Sequence, residues 1–289
     1  MAACENRPLQ QLIAGVNSMT QQRSIVARTS GSWQGPVTRL MSPGDMGQLI
    51  KPFIFLDYVE ARGAGPKFGF HPHSGIATLT FPLSFDLEHT TSTGQVDVVR
   101  QGGIEWVMTG GGIWHKAQAL SSGTMLAFQT WFAMPPSHEL ATASAQFLQP
   151  QQVPRVGPVT VLLGSYDGAV SQVNAPLDAT YLWVQLQDGE SWTYTSPATH
   201  DVAWAFAQSG NLLVSGETLS RELVVFEEGS DALHFQAQGH CAFLVGSAAK
   251  YPHDLSTGYY SVHSNPQALA AGEQRIREIG LEMKQQGMM

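Results

Sequence analysis

The chain has 289 residues, 43 % of them hydrophobic, which is enough for about two domains at the ~150 residues a domain commonly takes. Fifteen Lys+Arg against 23 Asp+Glu give a formal net charge of -8, so the basic excess that holds nucleic-acid phosphates is missing. The high apolar content argues against disorder, and two cysteines, Cys4 and Cys241, are too few for a disulfide framework or a thiolate zinc site.

Residues 1–22 read as a polar tail or short helix, with Leu9, Leu12, Ile13 and Val16 at helical spacing. They lack a basic start followed by an apolar core, and no apolar run is long enough to span a membrane. The expectation is a cytoplasmic chain with reduced thiols and no membrane contact. From Arg23 the texture is all-β. Short Val, Ile, Phe, Trp and Thr runs are separated by Gly, Pro, Ser and Asp clusters, as at Ile76–Leu83, Val96–Arg100, Thr124–Ala133, Val159–Leu163, Thr180–Leu186, Asp201–Gln208, Leu223–Glu227 and Cys241–Val245. The Pro-rich stretch Met134–Pro158 reads as a linker. The predicted organisation is therefore a β domain over 23–135, a linker over 136–158, a second β domain over 159–264 and a helical terminus over 265–289. Asn265 followed by Pro266 is a helix start, and a helix over about 266–286 would bring Leu269, Ile276, Ile279 and Met283 to one face.

The chemistry concentrates in the first half. His71 and His73 stand two apart in a β-like stretch, so both side chains point to one face, as two imidazoles sharing one metal ion must. His115 follows the glycine run Gly110–Gly112, a turn feeding a strand, and is the third candidate ligand. Phe70, Trp106, Met108, Trp114, Met125 and Phe128 flank these histidines in sequence and are candidates for an apolar pocket suited to a planar aromatic ligand, or simply for core. The second half holds His200, His234, His240, His253 and His263 without an HxH or a glycine turn before a histidine, and no metal is expected there.

Gly65-x5-His71-x-His73 and Gly112-x2-His115 resemble the two halves of the cupin motif. The phrases Arg23-Ser-Ile-Val, Pro52-Phe-Ile-Phe-Leu-Asp57, Gly69-Phe-His-Pro-His-Ser-Gly75, Leu87-Glu-His-Thr-Thr-Ser-Thr-Gly94, Gly112-Ile-Trp-His115 and Trp131-Phe-Ala-Met-Pro135 resemble the pirin family of bicupins. The likeness extends over roughly 23–286, more weakly in the second half at Gly258–Asn265. It implies two jelly-roll cupin barrels and one mononuclear metal, usually iron, in the first. Some members of the family open the flavonol quercetin with dioxygen, and nuclear eukaryotic members act as transcriptional cofactors. Carried over by position, the metal ligands are His71, His73 and His115, with Fe(II) expected and other divalent ions open.

The family's fourth ligand, a Glu two residues past the last histidine, falls on Ala117, and the Glu of the wider cupin pattern falls on Ala77. A neutral three-His set still suits divalent transition metals. It leaves more open positions, makes a stronger Lewis acid and holds its ion less tightly. Without a carboxylate, the general base for a flavonol hydroxyl must come from elsewhere. Glu105 and His89 are the candidates, while Gln118 has the opposite strand parity and should point outward, as should Lys116. Two readings stand. One is a dioxygenase-like enzyme of a small aromatic substrate; the other is a non-catalytic regulatory or interaction protein with a degraded site and a protein partner. No basic run of the kind nuclear import reads is present.

Overall fold

The computed structural model describes residues 22–63 and 67–289; the predicted N-terminal helix and Gly65 lie outside them, Gln22 apart. Two β-barrels pack face to face, with a helix, Pro266–Gln285, docked on the first. Among the described residues no helix is long and apolar enough to cross a membrane.

The first barrel is made of two antiparallel sheets. One has seven strands in the order Ser144–Leu148, Ile104–Met108, Ile76–Pro82, Gly123–Ala133, Phe53–Gly63, Val37–Met41, Ser32–Gln34. The other has four, in the order Lys67–His73, Ile113–Ala119, Leu87–Thr91, Val96–Val99. The second barrel is built on one nine-stranded sheet around the long strands Val202–Val214 and Leu233–Ala248.

The sheets do not respect the domain limits expected from sequence. Ile25–Thr29 pairs with Leu223–Phe226 in the second barrel, although it stands at the start of the first expected domain. Ser144–Leu148, inside the expected linker, is an edge strand of the first barrel, paired with Ile104–Met108. Arg155–Val156 already belongs to the second barrel. A proline-rich stretch read as free chain is thus largely paired, because prolines interrupt a ladder only at their own positions and edge strands tolerate them nearby.

The barrels meet through aromatic side chains. Period-2 alternation along Gly123–Ala133 places Met125, Ala127, Trp131 and Ala133 on one face, toward the first barrel's interior, and Phe128, Thr130 and Phe132 on the other. That outer face packs on the second barrel. Phe53 lies 5.4 Å from Trp204 and 5.8 Å from Tyr181, ring centre to ring centre, both edge-on, and Phe128 lies 5.6 Å from Trp183. The buried polar groups at this interface are paired: Thr130 Oγ1 with the Tyr181 hydroxyl at 2.9 Å, and Gln208 Nε2 donating to the Tyr58 hydroxyl at 2.8 Å.

The C-terminal helix starts as its sequence predicts, with the Asn265 side chain accepting from the Ala268 N–H at 2.9 Å and Pro266 in the first turn. Its buried stripe is Ala268, Gly272, Ile276, Gly280 and Met283. Of the predicted apolar face, Ile276 and Met283 are buried, whereas Leu269 and Ile279 lie at its half-exposed margins. The small residues let the helix come close: a methyl at Gly280 would stand 2.8 Å from the Trp114 ring, whose Nε1–H donates to the Ile276 carbonyl at 2.7 Å.

Phe53→Ala should empty the centre of the inter-barrel contact. The expected cost is about 3–5 kcal/mol of unfolding free energy, read from the denaturant midpoint at unchanged slope.

Candidate metal centre

His71 and His73 lie on Lys67–His73, and Ile113–Ala119 pairs beside it with His115 directly opposite His71. The sheet register therefore brings the three imidazoles to one face. Their ring centres are 4.4, 5.0 and 5.1 Å apart, and one ring nitrogen of each lies within 4.8 Å of the others. His73 and His115 are buried and His71 is half-buried.

Each Nδ1 is engaged. His71 Nδ1 donates to its own strand's Gly69 carbonyl at 2.8 Å, and His73 Nδ1 donates to the Tyr260 carbonyl at 2.9 Å. A carbonyl only accepts, so the ring hydrogen sits on Nδ1 and Nε2 keeps its lone pair. His115 Nδ1 lies 2.7 Å from His89 Nε2. The Nε2 atoms of His73 and His115 are buried without a protein partner, an arrangement that costs stability unless something else meets them. Carbonyl acceptors on Nδ1 of His71 and His73, with Nε2 atoms gathered together, are what metal-binding imidazoles require, so the donor set fits a divalent transition ion.

Electrostatics keep the set neutral. Burial pushes His73 down to about 3, with neighbouring His71 adding to the effect. Burial also lowers His71, and it lowers His115 well below the ordinary imidazole value. His89 behaves differently: burial opposes its charge, but Glu105 outweighs that and raises it.

Both further candidates, Glu105 and His89, come to the site. Glu105, on Ile104–Met108 of the facing sheet, has its Oε1 2.9 Å from His89 Nε2 and 4.0 Å from His115 Nδ1. Ala117 shares a cavity with His71, His115 and Glu105, and Gln118 is turned away, donating to Glu88 at 2.8 Å. Lys116 is exposed, with its ammonium 5.0 Å over the Phe70 ring.

A cavity open to solvent at its mouth lies beside His71 and His115. Its walls include Val59, Phe68, Phe85, Leu87, Ala119 and Phe128, with Thr80 and Gln129 as polar points. Asp57 also lines it but is paired with Arg39. Of the six side chains proposed from sequence as lining, Phe128 borders the cavity along its strand while its ring packs on Trp183 of the second barrel. Trp106 and Met108 pack into the inter-barrel core, Met125 lies in the core beside the cavity, and Trp114 holds the C-terminal helix.

A second group had no signal in the sequence. The chain leaves the second barrel and crosses back so that Ser261 and His263 meet Ser74, the residue after His73. Ser74 Oγ donates to Ser261 Oγ at 2.8 Å and stands 3.0 Å from His263 Nε2, and His263 Nδ1 lies 3.7 Å from the buried Glu139 carboxylate. Glu139 in turn accepts from the Ser264 N–H at 2.7 Å and its hydroxyl at 2.8 Å. These partners are up to 189 residues apart, beyond any local pattern. Two other second-half histidines pair within that half, His200 with Ser247 and Asp178, and His234 with Thr193.

Comparison with known proteins adds four findings. The family model described as Pirin matches residues 35–132. A Pseudomonas aeruginosa protein bearing the name "Putative quercetin 2,3-dioxygenase" is 28 % identical over 257 residues, covering 81 % of this chain and 90 % of its own. Among solved structures, a quercetin 2,3-dioxygenase from Acinetobacter baumannii superposes with a TM-score of 0.82 at 19 % identity, over 88 % of this chain and 96 % of its own. A bacterial pirin from Escherichia coli in complex with nickel(II) superposes at 0.63 and 19 % identity, over 79 % and 98 %. The fold is thus the bicupin of these neighbours.

The buried neutral histidines set an acid limit. Once unfolded, His73 regains an ordinary value near 6.5, so below that pH the unfolded chain binds a proton the folded chain refuses. Stability of the metal-free protein should therefore fall as pH drops below about 6.5, by on the order of 1 kcal/mol per pH unit from His73 alone. Thermal melts of metal-free protein across this range should decline less steeply for His73→Asn.

Proposed function

We propose that this chain, a Pirin-family protein by the domain at residues 35–132, is a metal-dependent dioxygenase of the quercetinase kind that acts on a small hydroxylated aromatic molecule. The observation that carries this reading is the gathering of His71, His73 and His115, each with Nδ1 engaged, at a largely apolar cavity. The named activity of the similar Pseudomonas and Acinetobacter proteins supports it.

Fe(II), or a similar divalent ion, when bound would supply the redox and Lewis-acid chemistry that dioxygen needs. The remaining work falls to the chain. His71, His73 and His115 would hold the ion through Nε2, their rings fixed by the Gly69 and Tyr260 carbonyls and by His89. Val59, Phe68, Phe85 and Leu87 would flank a flat ring and keep water from it, while Thr80 and Gln129 offer hydrogen bonds to ring hydroxyls.

A second reading, a non-catalytic pirin that binds a protein partner, is favoured by one observation. Position 117, which faces the cavity, carries a methyl group where the family carries its carboxylate ligand.

Metal analysis by mass spectrometry, on protein purified without a histidine tag or chelator, tests the site. Near one equivalent of a transition metal is expected, and its loss in the His71→Ala/His73→Ala variant. Flavonol consumption under oxygen then separates the readings: turnover by the metal-loaded protein supports the enzyme, and a loaded protein inert to a panel of hydroxylated aromatics supports the binding role. Wild type that takes up no metal after anaerobic Fe(II) loading would overturn the metal site itself.

A further inference from the structure

We propose that Glu105 and His89 act together from behind His115 to replace the charge and the anchoring of the missing ligand carboxylate. The proposal rests on the three-histidine metal reading above and assigns the pair a positioning role.

The register makes the substitution specific. His89 is the direct cross-strand partner of Ala117, so it stands on the same face of the sheet and reaches over the small alanine side chain to His115. Glu105 approaches from the opposite sheet of the barrel, where it pairs with Thr80. The three side chains are closed off from water, at 0 % exposure for His89, 1 % for Glu105 and 2 % for His115. Among the described residues, the ion pairs of Glu105 are with His89 and His115. A buried carboxylate without Lys or Arg beside it is costly to keep unless a positive charge is supplied nearby. The metal held on the far nitrogen of His115 supplies one.

Distances decide between a hydrogen-bonded chain and a second ion. His89 Nε2 lies 2.7 Å from His115 Nδ1 and 2.9 Å from Glu105 Oε1. Two ligands each about 2.0–2.1 Å from a tetrahedral ion stand about 3.3 Å apart. The 2.7 Å separation is a hydrogen-bond length: with His115 Nε2 left free for the ion, His115 Nδ1–H donates to His89 Nε2, and Glu105, whose Oε1 has no hydrogen-bond partner among the described residues, contributes its charge. Glu105 also faces the Nδ1 side of His115, whereas Nε2 is the free atom. It therefore acts through His89 and His115 and is not itself a ligand. One ion is bound by three neutral imidazoles, and the negative charge the family places on the ion sits one imidazole further out.

Co(II) titration of the metal-free full chain tests this, with binding measured by chelator competition and the visible Co(II) absorption recorded at saturation. Wild type should bind one Co(II). Glu105→Gln should weaken it by roughly 10- to 100-fold, as loss of an outer partner of a metal-binding histidine does, and should shift the Co(II) bands, which a purely structural role would leave in place. Adding Ala117→Glu to Glu105→Gln should restore most of the affinity, while Ala117→Glu in wild type should gain much less, a non-additivity expected of two groups that do one job. His89→Asn, an independent variant should Glu105→Gln fail to fold, should weaken Co(II) in the same direction. Wild-type affinity and bands in both variants would overturn the proposal while leaving the three-histidine site intact. Two Co(II) per wild-type chain would overturn the hydrogen-bonded assignment. No Co(II) binding by wild type would remove the site and the proposal together.

Discussion

A buried imidazole has one ring hydrogen to place, and the centre of this protein follows from where three of them place it. His71, His73 and His115 each set Nδ1 against an oxygen or nitrogen supplied by a different part of the fold. The partners come from the histidine's own strand, from the returning C-terminal segment and from the neighbouring strand. Once Nδ1 is committed, Nε2 is the atom left to face its counterparts, and burial keeps the rings uncharged. Such a cluster of lone pairs in a dry interior is poorly satisfied by protein alone and well satisfied by a cation.

The fold is arranged to hold that commitment. Tyr260 supplies its carbonyl because Ser261 and His263 dock against Ser74, and Glu139 ties Ser264 to the first barrel. The approach is tight: a Cβ on Gly75 would stand 2.1 Å from the Val262 carbonyl, and one on Gly272 would stand 2.5 Å from His263. Gly75 also needs its φ of +79°, which glycine adopts without strain. The terminal helix closes over the Trp114 ring through Gly280. The second barrel contributes no side chain to the three histidines, yet the chain leaving it completes their surroundings. The aromatic interface between the barrels fixes the geometry of that return.

Position 117 shows how little of a site a motif specifies. Ala117 lies at the cavity wall, and His89, paired across from it, stands 2.7 Å from His115 and 2.9 Å from Glu105. The charge absent from one strand is present on another, buried and aimed at the same histidine.

The sequence by itself determined a good deal. Strand texture gave an all-β chain, and the 71/73 spacing put two histidines on one face. The glycine turn placed His115 at the start of a strand, and Asn265-Pro266 marked the helix start. These are local properties, set by the period of the backbone and by residues that favour particular turns. The parity of Ala117 and Gln118 is of the same kind, and the cavity and the Glu88 contact agree with it. Only the tertiary structure decided the rest. It moved Ile25–Thr29 into the second barrel and Ser144–Leu148 into the first, sent Trp106 into the inter-barrel core, and joined His73 to Tyr260 across 187 residues. It also set Glu105 against His89 and His115. The physical reason is that strand pairing and hydrogen-bond partnership across sheets depend on register and on which faces close over the core, and neither leaves a periodic trace in a single chain.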